Sequence, residues 1–269
     1  MEENRTRTGL PGKSFGDRVK SLRRNAQLAF ARSRLFAAAR AVNVKSIAAR
    51  CKSLPKLDVI ALAGSPRERS FEGIRRALDA GKSPLVAVCD PSTIWEEDAE
   101  LWVTLAFARQ PDAKALFADH AEEGIPIHKP DFSWAYLLAR DFVAPVVVYD
   151  RRLLAASLDT LSRLEGQPLT AEAAAYAIAL EALHGLAPSE ILHVRHPLWL
   201  TAASGASGAS QADQAKVVRE ALRRHGIEAR VSSRSDDPAI HEIAFKRTKS
   251  PKVSIDRKST RLNSSHTVI

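Results

Sequence analysis

Between residues 57 and 119 short apolar runs alternate with stretches whose apolar positions recur every three or four residues, a pattern that predicts strands and helices in turn. LDVIAL (57–62) reads as a strand, ended by Gly64-Ser65-Pro66. SFEGIRRALDAG (70–81) reads as a helix stopped by Gly81. PLVAVCD (84–90) is a buried strand with an aspartate at its C-terminal end, EDAELWVTLAFARQ (97–110) a helix stopped by Pro111, and KALFAD (114–119) a further strand. Later, HKPDFSWAYLLARDFVAPVVVYDRRLL (128–154) sets a Lys-Pro-Asp turn before a helical stretch and a buried strand, Val146–Tyr149. AEAAAYAIALEALH (171–184) is an Ala-rich helix, and EILHVRHPLWL after it reads as one or two strands. SGASGAS (204–210) reads as a connector, followed by a helix stopped by Gly226 and a strand. Strands separated by helices of these lengths argue for an α/β layered domain.

Ahead of this body, residues 17–50 lack Pro and Gly, and Val19, Leu22, Ala26 and Phe30 form one apolar stripe among arginines. That is a basic amphipathic helix, suited to packing on its own domain or to an anionic membrane surface. Charge sharpens the division. Met1–Lys52 holds 13 Lys/Arg against 3 Asp/Glu and residues 245–269 hold 7 against 1, while 53–244 carry 20 against 27. The formal excess of +9 therefore sits in the ends, which argues against a basic nucleic-acid cleft in the body. Cys51 and Cys89 are too few for a disulfide framework and lack metal-ligand spacing. No apolar run reaches membrane-spanning length and the N-terminus lacks a secretory core, so the expected location is the cytoplasm, with peripheral contact at the inner face of the membrane. DRKSTRLNSSH (256–266) resembles a translated sequencing adapter, so residues 256–269 are set aside and the biological sequence is expected to continue past Ile255.

From about Leu57 to Ile255 the order of segments resembles bacterial family-2 glycosyltransferases of the GT-A fold, the kind associated with cell-surface polysaccharides. Residues 70–122 are similar to that family's helix, strand, metal motif, helix and "SDED-like" strand. HKPDFSWAYLLARDFVAPVVVYDRRLL is similar to its "FKPDW" to "VYRR-LL" segment, and EILHVRHPLWL to its "IAHIPRVLYHW" segment. KVVREALRRHGIEARV resembles its linking helix and strand, and SPKVSI (250–255) the opening of a second transferase domain. The resemblance implies a GT-A-like (Rossmann-like) mixed sheet flanked by helices over 53–203, a linking unit over 204–249 and a basic helical arm over 1–52.

It also implies chemistry: transfer of a sugar from a UDP-type nucleotide sugar to a glycan acceptor, with Mn2+ or Mg2+ on the diphosphate. Asp90 is the expected metal acid, but Ser92 stands where a second acid belongs. Asp90, Arg75, Asp119 and His120 are the expected donor-side residues, and Lys129, Asp131 and Trp134 the acceptor-side wall. Ala173, Ala174, Ala175 and Ala177 occupy the positions of the family's catalytic acids, leaving Glu172 as a displaced base or an N-terminal helix acid. The family's later histidine falls at Leu200, with His184, His193 and His196 nearby. The opening strand with the nucleobase floor has no counterpart in residues 1–56. Three readings follow. The first is a weak or inactive transferase domain acting as scaffold or acceptor-binding part for a downstream domain. The second is an active transferase using Asp90, Asp119, His120 and Glu172 in relocated roles, and the third a membrane-surface or nucleic-acid binder through residues 5–50.

Overall fold

The computed structural model describes residues 53–163, 169–201 and 208–246, together with Ala49. The helix expected over residues 17–50, apart from Ala49, most of the 204–210 connector, the 250–255 segment and the adapter-like tail lie outside the described residues.

The elements are β1 (Leu57–Ala61), α1 (Phe71–Ala80), β2 (Leu85–Cys89), β3 (Ile94–Trp95), α2 (Ala99–Arg109), β4 (Ala115–Glu122), β5 (Ile125–Ile127), α3 (Trp134–Ala139), β6 (Val146–Asp150), α4 (Arg151–Leu161), α5 (Ala171–Ala182), β7 (Ile191–Thr201), α6 (Gly208–Arg224), β8 (Ala229–Ser233) and β9 (His241–Phe245). Seven strands form one mixed sheet in the order β1-β2-β6-β4-β7-β3, with β5 paired to β4. β1 runs parallel to β2 and β4 parallel to β7, while β6 is antiparallel to both β2 and β4. Strands β1, β2, β4 and β7 therefore direct their C-terminal ends to one side, the side on which α/β sheets open a ligand crevice. β8 and β9 form a separate antiparallel pair.

Both faces of the sheet are covered, which explains why its central strands read as continuous apolar runs. Val86, Val88, Ala115, Phe117, Val147 and Tyr149 face the cluster built with α1, α4, α5 and α6. Leu85, Ala87, Cys89, Leu116, Ala118, Val146 and Val148 face the other way, toward Val103 and Phe107 of α2. Val217, Val218, Ala221 and Leu222 of α6 join the first cluster, so the helix after the connector shares the core of the main sheet.

Local rules account for most ends. Ser70 caps α1 by accepting from the Gly73 amide at 3.1 Å, and Thr170 caps α5 through the Ala173 amide at 3.3 Å. Gly226 takes φ +68 after α6, the left-handed stop that glycine tolerates. Gly81 ends α1 differently. Its φ is −85, and a Cβ there would lie 2.2 Å from Asp58 Oδ2 and 2.9 Å from Arg151 Nη2, so a larger residue would push on that ion pair. The EILHVRHPLWL segment is one strand, irregular where its pairing with β4 shifts between Ala118 and His120.

Candidate functional site

Asp119 sits in the C-terminal half of β4 and is 1% exposed. Alternation along the strand puts it on the same face as Phe117, toward the helical layer. Burying a carboxylate is unfavourable unless donors surround it, and here they do. His128 Nδ1 lies 2.8 Å from Oδ2, while the Lys129 amide donates to Oδ1 at 3.0 Å and His193 Nε2 lies 3.0 Å from the same oxygen. Burial alone raises the Asp119 carboxyl, but these hydrogen bonds outweigh it and hold the group below the usual range.

Sheet pairing brings the three partners together. β5 folds back on β4 through Glu123-Gly124, with His120 opposite Ile127, so His128 follows opposite Asp119. On the other edge, β7 pairs Phe117 with His193, and the His193 ring stacks on Phe117 at a centroid distance of 4.5 Å. His193 then reaches Asp131 through Nδ1 at 3.5 Å, and Arg195 donates to both Asp131 oxygens at 2.7 and 2.9 Å. The outcome is a chain from buried Asp119 through His193 to exposed Asp131 and Arg195. Arg195 chiefly, with help from His193, lowers the Asp131 carboxyl.

Behind this chain the Lys129 ammonium donates to the carbonyls of Val143, at 2.9 Å, and Ala144. Burial pushes the Lys129 amine down to about 7, against the pull of Asp141 and Asp119. Burial likewise lifts Asp141 to about 6, against Lys129 and the amides of Ala144 and Val143. Lysine of the Lys-Pro-Asp turn thus fastens β5 to the segment that begins β6.

The remaining expected residues are dispersed. Asp90 follows β2 at the crevice end, and its Oδ1 accepts from the Ser92 amide at 2.8 Å and from the Ser92 hydroxyl, forming a closed turn. No group of three or more His, Cys, Asp or Glu able to hold a metal occurs among the described residues. These side chains alone do not fit a divalent ion, so no chemical step is assigned to one. Arg75 is engaged on the helical layer, pairing with Asp79 at 3.0 Å and with Asp159 of α4. His120 points to the face opposite Asp119. Burial first, then Lys129, pushes its imidazole down to about 4, and its Nδ1 is buried without a hydrogen-bond partner. Trp134 starts α3 and packs edge-on against His184 and His225 at 4.9 and 5.8 Å.

Glu172, in the first turn of α5, receives a hydrogen bond from Ser210 of α6 at 3.5 Å. Ala173, Ala174 and Ala177 are buried core contacts of that helix. His128 was not among the expected site residues; the pairing of β5 with β4 brings it to Asp119. Arg195 and His193 alternate on β7, and Asp131 joins them only through the tertiary fold.

No protein-family profile and no curated protein matches the chain. Among solved structures, mannosyl-3-phosphoglycerate synthase from Rubrobacter xylanophilus aligns at 14% identity and a TM-score of 0.41, over 66% of this chain and 62% of that one. Glucosyl-3-phosphoglycerate synthase from Mycobacterium tuberculosis, in complex with Mn2+, UDP-glucose and phosphoglyceric acid, aligns at 14% and 0.40, over 61% and 58%. A further mycobacterial protein aligns at 11% and 0.40, over 70% and 71%. The chain thus spans about three fifths of the length of the two named synthases.

Proposed function

We propose that this chain carries a GT-A-type, glycosyltransferase-like domain that takes a UDP-type nucleotide sugar at the C-terminal end of its sheet, and that it is catalytically weak. What carries the reading is the junction of sequence and topology. The segments that resemble the family-2 pattern become β2, β4, β6 and β7, and the Lys-Pro-Asp turn lies against Asp119 at the crevice end. The weakness follows from the donor side, where Asp90 is a lone carboxylate engaged with Ser92, and from the positions of the expected base, where Ala173, Ala174 and Ala177 are buried and carry no acid. A role beside a more active transferase domain, in cell-surface polysaccharide synthesis, is part of the same proposal. An active enzyme with relocated groups is the second reading, and the site in which His128, the Lys129 amide and His193 converge on Asp119 favours it.

Calorimetric titration of UDP into the full chain, with and without Mn2+, tests the proposal. Heat at micromolar to millimolar UDP is expected, and a dependence on Mn2+ would mean that Asp90 still organises a donor site. Absence of heat at millimolar UDP in both conditions would remove the nucleotide-sugar reading.

A further inference from the structure

Asp119 and His128 form a pair in which a buried carboxylate orients an open imidazole. The Asp119 side chain is 2% exposed, that of His128 74%, and the contact between them is 2.8 Å. The second Asp119 oxygen is held by the Lys129 amide and His193, so the carboxylate cannot turn away. An ionised carboxylate only accepts, so the hydrogen in this contact sits on His128 Nδ1. A neutral ring in that tautomer presents the Nε2 lone pair outward.

The pair also stands in a favourable place. β5 occupies the edge of β4 just beyond Phe117, where pairing with β6 ends, so His128 lies in the column of β6 above its first residues. β6 begins at Val146 opposite Cys89, the residue before Asp90. Lys129 ties the two together by binding the Val143 and Ala144 carbonyls. His193 is engaged at both nitrogens and its side chain is 8% exposed, and His120 faces the other side of the sheet.

We propose that His128 is the proton acceptor of this crevice, with Asp119 as its positioning residue; the inference rests on the nucleotide-sugar reading above. The acceptor hydroxyl, or water in hydrolysis, loses its proton to His128 Nε2 as its oxygen bonds to the anomeric carbon. The bond from that carbon to the diphosphate oxygen breaks, and its electron pair leaves with the nucleoside diphosphate. An imidazole thereby replaces the carboxylates absent from the start of α5, and positioned general bases of this kind contribute about 10²- to 10⁴-fold.

The test is UDP release from a panel of nucleotide sugars by wild type and His128→Ala, with UDP affinity measured for both. His128 is exposed, so the variant is expected to fold, and unchanged thermal unfolding verifies that. The expected result is about a 100-fold lower rate, an unchanged UDP affinity and partial recovery on adding imidazole. Asp119→Asn should lower the rate without changing UDP affinity, and nitrogen-15 NMR of the His128 ring should then show a shifted tautomer balance. Release within twofold of wild type in His128→Ala, with UDP bound, would overturn the proposal and leave the nucleotide-sugar reading standing. So would a wild type that binds UDP and releases none. Failure of wild type to bind UDP removes that reading and this inference with it.

Discussion

His193 Nε2 lies 3.0 Å from Asp119 Oδ1, joining β7 to β4 across 74 positions of sequence. The contact turns two parallel strands into one polar network, because the same carboxylate also holds His128 and the Lys129 amide. A buried acceptor with three donors is a point of fold specificity as well as chemistry. Its removal leaves the Lys129 amide and the buried His193 Nε2 without this acceptor.

Asp119→Ala should therefore cost about 3 kcal/mol in urea unfolding, the scale for breaking a buried charged network. The folded Asp119 lies below its unfolded value, near 3.9. Its stabilisation is fully present above that unfolded value and is lost as pH falls through the folded one. Wild type should lose its advantage over Asp119→Ala in acid, below about pH 4. An advantage that instead grew on acidification would contradict this account.

Lys129 gives the opposite limb. Its folded value of about 7 lies below an unfolded value near 10.4, so the unfolded chain binds more protons between them. Stability should rise with pH across that window. Asp141 is raised to about 6, so between about pH 4 and 6 the folded chain binds more protons and stability falls as pH rises. Unfolding of wild type and Lys129→Met, followed from pH 5 to 10, should show a stability difference that moves in favour of wild type above pH 7. A difference independent of pH would show that the amine is not buried as described.

Arg151 acts at the opposite end of the sheet. Its guanidinium binds Asp58, Leu78 O and Ser83 O, closing the end of α1 onto β1 and the start of α4. Arg151→Ala should lower stability by about 2 kcal/mol, the range for hydrogen bonds to charged groups, and leave UDP binding untouched. Arg151→Lys should recover only part of the loss, because an ammonium lacks the planar fork. Full recovery would reduce the role of Arg151 to net charge.

Gly73 separates packing from propensity. It lies inside α1, where alanine is better by about 1 kcal/mol on helix propensity. Yet a Cβ there would lie 2.4 Å from Glu68 O and 2.5 Å from Arg67 O, both backbone atoms that cannot swing aside. Gly73→Ala should thus destabilise by about 1–3 kcal/mol, the cost of overpacking. A stabilised variant in thermal unfolding would refute the close approach.

The sequence by itself determined the alternation of strands and helices, because periodicity and end signals are local. Ser70, Gly81 and Gly226 mark ends that the structure keeps, and Val86–Val88 and Val146–Val148 are legible as strands buried on both faces. Short elements were not legible. β3 has two residues and β5 three, and each exists only because a longer neighbour, β7 or β4, supplies its hydrogen bonds. The tertiary structure alone decided the site. Of the expected residues, Asp119, Lys129 and Asp131 converge, while Arg75 and Glu172 are taken up by Asp159 and Ser210 of neighbouring helices. His128, His193 and Arg195 carried no distinguishing pattern, since their meaning depends on partners from other strands. A side chain's local sequence sets its strand and its face. Which carboxylate it meets is set by strand order, and strand order is a property of the packed sheet.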